Sequence, residues 1–109
     1  MNSNKKNSPF SIDMESEAMR KEMARRFVLI RKEIFRKTQA QMGSLIGISS
    51  DRLCDFEAGR KITDSAVIYR LFLCLMLKGI DIRLLFLEDF DMNKLARQKR
   101  KVKLNMQII

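Results

Sequence analysis

The sequence predicts an all-α fold, a single domain of five helices followed by a C-terminal extension. Apolar side chains recur at steps of three and four over residues 16–90, and helical segments stop at glycines such as Gly47 and Gly79. A chain of 109 residues suits one modest hydrophobic core. We therefore expect a flexible N-terminal arm over residues 1–15, the domain over residues 16–90 and the extension over residues 91–109.

The first helix is expected to begin at Ser16, as its N-cap, and to run to about Lys37. Its apolar side chains form a stripe at helical spacing. We assign this stripe to the hydrophobic core and not to a cofactor site. The residues of the stripe are Met19, Met23, Phe27, Ile30 and Ile34.

The second and third helices are predicted to be joined by a tight turn. Apolar residues at helical spacing follow Thr38 and Gln39, and the segment breaks at Gly47. Glycine readily adopts the left-handed conformation that ends many helices. Ser49 or Ser50 can then cap the third helix.

The third helix is expected to be amphipathic. Leu53 and Phe56 lie three residues apart and therefore share one face. The other faces present polar side chains, namely Ser50, Asp51, Arg52 and Asp55. We expect this helix to pack on one side and to offer its polar side chains outward.

The fourth helix is predicted to be capped by Thr63 or Asp64 and to run to about Lys78. Asp81 can cap a short fifth helix over residues 82–88. The apolar segment 66–77 is too short to span a bilayer and contains Arg70, so we expect a core helix and no membrane span.

The last residues alternate between apolar and polar side chains, a period of two that is typical of a half-buried strand. Its apolar positions are Val102, Leu104, Met106 and Ile108. A lone strand needs a partner edge, so we expect residues 102–108 to pair antiparallel with a second copy and form a dimer. A frayed tail and a continuing amphipathic helix are the alternatives.

The formal net charge is +9 and the isoelectric point is about 10.0, which favours polyanionic partners. Residues 25–37 and 91–109 each carry a net charge of +5, whereas residues 38–90 carry −1. The first basic block contains Arg25, Arg26, Arg31, Lys32, Arg36 and Lys37. Both blocks could meet phosphates or form solvated helix faces.

The composition argues against an enzyme. The sequence contains no His and no glycine-rich phosphate loop, and Cys54 and Cys74 lack metal-site spacing. We therefore expect no metal and no cofactor. Each cysteine falls in a helical apolar pattern, so we expect two buried thiols, in a reducing, cytoplasmic compartment. The polar first dozen residues do not form a signal peptide.

The segment Thr38 to Arg60, TQAQMGSLIGISSDRLCDFEAGR, resembles the helix-turn-helix of the Cro and phage-repressor (XRE) family. The matching features are Thr38-Gln39, Gly43, Gly47 and Glu57-Ala58-Gly59. The resemblance covers roughly residues 27–88 and implies a lambda-repressor-like domain. Gly43 stands where Ala is usual, and the stretch between Arg31 and Gln39 is one residue longer than a common family spacing.

The resemblance also implies roles for individual residues. It places four side chains of the third helix at base edges in the major groove, namely Ser50, Asp51, Arg52 and Asp55. It places the phosphate contacts at Gln39, Ser49, Arg60 and Lys61. It buries Glu57 against a basic residue of the first helix, either Arg31 or Lys32.

The function implied by the resemblance is a sequence-specific transcription regulator from a prokaryote or phage, most simply a dimeric repressor that binds a palindromic operator on double-stranded DNA. One alternative is an antitoxin that neutralises a toxin and represses its own operon. Another is a nonspecific binder of nucleic acid or of a membrane surface, held by the two basic blocks.

Overall fold

The computed structural model describes residues 9–108, apart from the side chains of Met92 and of residues 102–108. The chain is all-α, as the sequence predicted. Its α-helices are α1 (Ser16–Ile30), α2 (Gln39–Ile46), α3 (Ser50–Glu57), α4 (Ser65–Leu77) and α5 (Met92–Ile108). A π-helical turn, Arg31–Phe35, extends α1, and a 3-10 turn, Ile82–Leu85, lies between α4 and α5.

One hydrophobic core joins these helices. Phe27 of α1 meets Phe56 of α3 edge to face, with ring centroids 5.4 Å apart. Four of the five predicted stripe residues lie in this core: Phe27 and Ile30 are fully buried, and Met23 and Ile34 are partly buried against them, whereas Met19 is outside it. The fully buried residues from the other elements are Met42, Leu53, Leu71, Leu75, Leu85 and Leu95.

The end of α1 departs from a regular α-helix. Residues Arg31–Phe35 form a π-helical turn, and Arg36 follows in the left-handed conformation with φ 54°. A π-helical turn holds one more residue than an α-helical turn, so a helix can accommodate a one-residue insertion at such a turn. The π-helical turn and the left-handed Arg36 end α1 and lead the chain to the start of α2.

The predicted fifth helix over residues 82–88 is wrong, because only a 3-10 turn forms there. Asp81 caps this turn as expected, accepting a hydrogen bond of 3.0 Å from the Arg83 amide. The Phe86 carbonyl instead accepts a hydrogen bond of 2.7 Å from the Phe10 amide. The Leu84 carbonyl, which would accept from the amide of residue 88 in such a helix, accepts a hydrogen bond of 2.9 Å from the Arg26 side chain.

Residues 1–8 of the predicted flexible arm lie outside the described part, and residues 9 and 10 contact the domain. Pro9 forms a β-bridge with Leu87. Phe10 lies 4.8 Å from the guanidinium of buried Arg26, which also stacks on Phe90 at 5.0 Å. Arg26 further donates to the carbonyls of residues 84 and 87, so it ties the N-terminal segment to the domain.

The predicted strand over residues 102–108 is also wrong, because α5 runs to Ile108. Leu95 is buried in the core, and Gln98 bridges the Asp81 amide and the Gly79 carbonyl. The start of α5 therefore belongs to the domain, and extending a formed helix costs far less than ordering a lone strand. The predicted dimerisation through a C-terminal strand is therefore not supported. The side chains assigned to it lie outside the described part, and they are Val102, Leu104, Met106 and Ile108.

Candidate nucleic-acid interface

Helices α2 and α3 and the turn between them form one unit, which we call the α2–α3 unit (residues 38–60). Thr38 and Gln41 form a reciprocal capping box, in which each side chain accepts a hydrogen bond from the backbone amide of the other. Gly47 ends α2 in the left-handed conformation, with φ 90°. Ser49, one of the two predicted caps, accepts a hydrogen bond from the Arg52 amide at 3.2 Å.

Two glycines fix how closely this unit packs. A Cβ atom on Gly43 would lie 2.7 Å from the Ile48 carbonyl oxygen, so α2 meets the turn before α3 without space for a methyl group. A Cβ on Gly59 would lie 2.9 Å from the side chain and 3.2 Å from the Cα of Lys21, and its φ is 76°. The Gly in the Glu-x-Gly motif therefore lets the end of α3 approach α1.

The carboxylate of Glu57 joins three elements in the interior. Arg31 donates two hydrogen bonds to it, at 2.6 and 2.9 Å, and Gln39 donates a third at 2.9 Å. Arg31 also donates to the Lys37 carbonyl at 2.8 Å. Arg31 is thus the buried partner of Glu57, and the alternative partner, Lys32, is exposed. The network fixes the end of α3 relative to α1 and the start of α2.

The outward face of α3 carries small and acidic side chains. Ser50, Asp51 and Cys54 are exposed, and Asp55 is half-buried beside them. Asp51 lies in the first turn of α3, where a negative charge is favoured by the helix dipole. Three of these four positions were predicted, namely Ser50, Asp51 and Asp55; Arg52, the fourth predicted position, is also exposed and pairs with Asp64.

Cys54 corrects the prediction of two buried thiols. Cys54 is exposed, whereas Cys74 is buried and burial raises the pKa of its thiol. Helical spacing would have identified Cys54, because it lies four residues after Ser50 and three after Asp51. The outward face of α3 therefore includes a thiol that the sequence reasoning missed.

Two ion pairs flank the outward face. Arg52 donates to Asp64, the N-cap of α4, at 3.0 Å, and Arg60 donates to Asp55 at 2.5 Å. The four side chains are between 49% and 63% exposed to solvent. Solvated pairs of this kind contribute about 0–1 kcal/mol each, so they exchange partners at little cost.

The basic block of residues 25–37 divides between the interior and the surface. Arg26 and Arg31 are buried, and their guanidinium groups are bound to protein groups. Arg25 pairs with Glu22. The remaining cations line a shallow surface groove beside Thr38, at the start of α2, together with the carboxylate of Glu33; these cations are Lys32, Arg36 and Lys37. Only this half of the block is placed to meet a polyanion at the α2–α3 unit.

The predicted phosphate-binding residues differ in how they are held. The carboxamide of Gln39 is bound to Glu57, which leaves one of its two amide hydrogens. The Ser49 hydroxyl accepts from α3 and can still donate its proton. Arg60 is paired with Asp55, and Lys61 is exposed in the loop after α3. Arg70, which was not among the predicted residues, lies against Gly47 at the turn.

Within the described residues, no helix is both long and apolar enough to cross a membrane. The same part of the chain holds no group of three or more His, Cys, Asp or Glu side chains arranged to bind a metal ion. No protein-family model matches the sequence, and no curated protein or solved structure matches it either.

Proposed function

We propose that the protein is a sequence-specific DNA-binding transcription regulator of the helix-turn-helix type. The observation that carries this proposal is the outward face of α3, which is polar and uncovered while its opposite face is locked by the Glu57 network. A rigid helix with an open polar face, flanked by cations, suits insertion into the major groove. The resemblance of residues 38–60 to Cro-type proteins supports the same function.

Base reading is assigned to Ser50, Asp51, Arg52 and Asp55, with Arg52 as the principal reader. A guanidinium binds guanine O6 and N7 through two hydrogen bonds, which contributes about 1–3 kcal/mol of discrimination. The exposed pair with Asp64 contributes about 0–1 kcal/mol, so exchange of the carboxylate for guanine is favourable. The carboxylates can accept hydrogen bonds from cytosine N4.

Phosphate binding is assigned to the two sides of the α2–α3 unit. At the start of α2 it uses Gln39 together with the cations of the adjoining groove, Lys32, Arg36 and Lys37. At the turn and at the end of α3 it uses Ser49, Arg60 and Lys61. Positive charge therefore flanks the reading face, so the flanks supply affinity and the face selects sequence.

Repression by occlusion of a promoter is the simplest regulatory mechanism. A dimer would place two α3 helices one DNA turn apart, about 34 Å, and would read a palindromic operator. Such an operator is the expected product of a selection from random double-stranded DNA. Enrichment of a palindrome supports the proposal, and recovery of an unbiased pool at low salt contradicts it.

Two substitutions separate base reading from phosphate binding. Arg52→Ala should relax the preference at one base pair, whereas Lys61→Ala should weaken binding to all sequences and reduce the salt slope by about one. Arg83→Ala is the matched control, since Arg83 is an exposed arginine paired with Asp81 on the 3-10 turn. The roles are wrong if Arg52→Ala and Lys61→Ala have the same effect on every sequence.

A second candidate function is nonspecific nucleic-acid binding through the flanking cations alone. It is favoured by the commitment of Arg52 and Arg60 to carboxylates and by the acidic side chains on α3. This candidate predicts uniform binding across sequences that is lost at modest salt. The selection experiment distinguishes it directly from a sequence-specific regulator.

A further inference from the structure

Helix α4 exposes a stripe of large apolar side chains. Tyr69, Leu73 and Leu77 lie at steps of four and are 67%, 54% and 76% exposed, and Met76 beside them is 58% exposed. The opposite face of α4 is buried in the core through Leu71 and Leu75. Contiguous apolar surface of this kind on a folded domain marks an interaction site.

The charge distribution identifies what can cover this stripe. The chain has a net charge of +9, so two copies repel one another over most orientations. Helix α4 contains a single charged residue, Arg70, which lies against Gly47 at the turn and not in the stripe. The α4 stripe itself therefore carries no charged side chain, with exposed Arg70 at its border, so contact between the stripes of two copies is apolar.

The exposed area of the stripe also fits a second copy of the chain as its partner. At roughly 200 Å² for a side chain of this size, the four residues expose about 500 Å². Two such surfaces facing each other would bury about 1,000 Å² in total, the lower limit for a specific protein–protein interface. The expected complex is thus a weak dimer that dissociates on dilution.

We propose that the α4 stripe is a homodimer interface with its two-fold axis at Leu73. Tyr69 and Leu77 lie equally far on either side of Leu73, so a two-fold axis there brings Tyr69 of one copy next to Leu77 of the other. Ridges formed by steps of four pack at a crossing angle of about −50°, which concentrates the contact at the central residue. This interface replaces the C-terminal strand as the source of two-fold symmetry, and it does not depend on DNA binding.

Disulfide trapping tests the axis directly. In a Cys54→Ser background, Leu73→Cys places one thiol of each copy across the axis, within the Cα separation of about 7 Å that a disulfide requires. Mild oxidation should convert most of the protein to a covalent dimer. Leu45→Cys is the matched control: Leu45 is 44% exposed on α2, and this variant should remain monomeric on denaturing gels. Equal crosslinking of both variants overturns the proposed axis.

Sedimentation tests the interface without a crosslink. The unmodified protein should change from dimer to monomer on dilution from about 100 µM, and Leu73→Asp should be monomeric throughout. The helical circular dichroism of Leu73→Asp should be unchanged, because Leu73 points away from the core. A wild-type protein that is monomeric at every concentration overturns the proposal and leaves the stripe to another segment or another protein. Both experiments omit DNA, so their failure is distinct from failure of the proposed function.

Discussion

The inner and outer faces of the α2–α3 unit both carry arginine–carboxylate pairs, and the two faces differ in how much of each pair water reaches. The Arg31 and Glu57 side chains are 8% and 5% exposed, whereas those of Arg52 and Asp64 are 54% and 51% exposed. A buried charge that loses its partner is left in a poorly polarisable interior, but an exposed one is resolvated. The same chemical pair therefore builds the scaffold on one face and provides exchangeable contacts on the other.

Breaking the inner pair should have the largest effect. Arg31→Met leaves the Glu57 carboxylate buried without its cation, so we expect a loss of about 3–5 kcal/mol in the free energy of unfolding, measured with urea. The double variant Arg31→Met/Glu57→Leu should recover much of that loss, because no unpaired charge remains. Arg52→Met serves as the control and should change stability by less than about 1 kcal/mol. Similar losses for Arg31→Met and Arg52→Met would remove the distinction between the faces.

Gly43 and Ser44 provide a second contrast, since they are neighbours on α2 and only Gly43 is buried. Helix propensity alone favours Gly43→Ala by about 1 kcal/mol. The 2.7 Å approach to the Ile48 carbonyl opposes it, and overpacking against backbone costs about 1–3 kcal/mol, so we expect net destabilisation. Ser44→Ala should stabilise slightly, by about 0.5 kcal/mol. A higher melting temperature for Gly43→Ala would mean that the inner face is less tightly packed than described.

Removing the exposed ion pair between Arg52 and Asp64 should have the smallest effect on stability and a measurable effect on DNA affinity. Asp64→Asn keeps a side chain that can cap α4 while removing the charge that holds Arg52. We expect little change in stability and a two- to fivefold gain in affinity for the selected DNA, about 0.5–1 kcal/mol. Asp81→Asn removes an equal charge from a cap paired with Arg83 and should tighten binding less. Weaker binding by Asp64→Asn would argue that the pair positions Arg52 and does not restrain it.

The sequence predicted the α2–α3 unit well because its determinants are local. The left-handed Gly47, the Ser49 cap and the apolar positions Leu53 and Phe56 are all read from neighbouring residues. The capping box of Thr38 and Gln41 was equally readable from its spacing, although it was not anticipated.

The failures came from contacts between residues far apart in the chain. Arg26 donates to the Leu84 carbonyl that a helix over residues 82–88 would have used, and Leu95 and Gln98 anchor α5 in the domain. The alternation of apolar and polar side chains in residues 102–108 predicted a strand, but the backbone there continues helix α5. Arg26 counted as surface charge in the sequence but is buried between aromatic rings.

The central claim, that DNA meets the outward face of α3, is tested most directly by alkylation of Cys54 in the presence of the selected DNA. In the free protein, iodoacetamide should modify exposed Cys54 and spare Cys74, because burial shields the Cys74 thiol and raises its pKa. Added DNA should slow the modification of Cys54 in proportion to the bound fraction. An unchanged rate at saturating DNA would show that the protein binds DNA through another surface and would contradict the account.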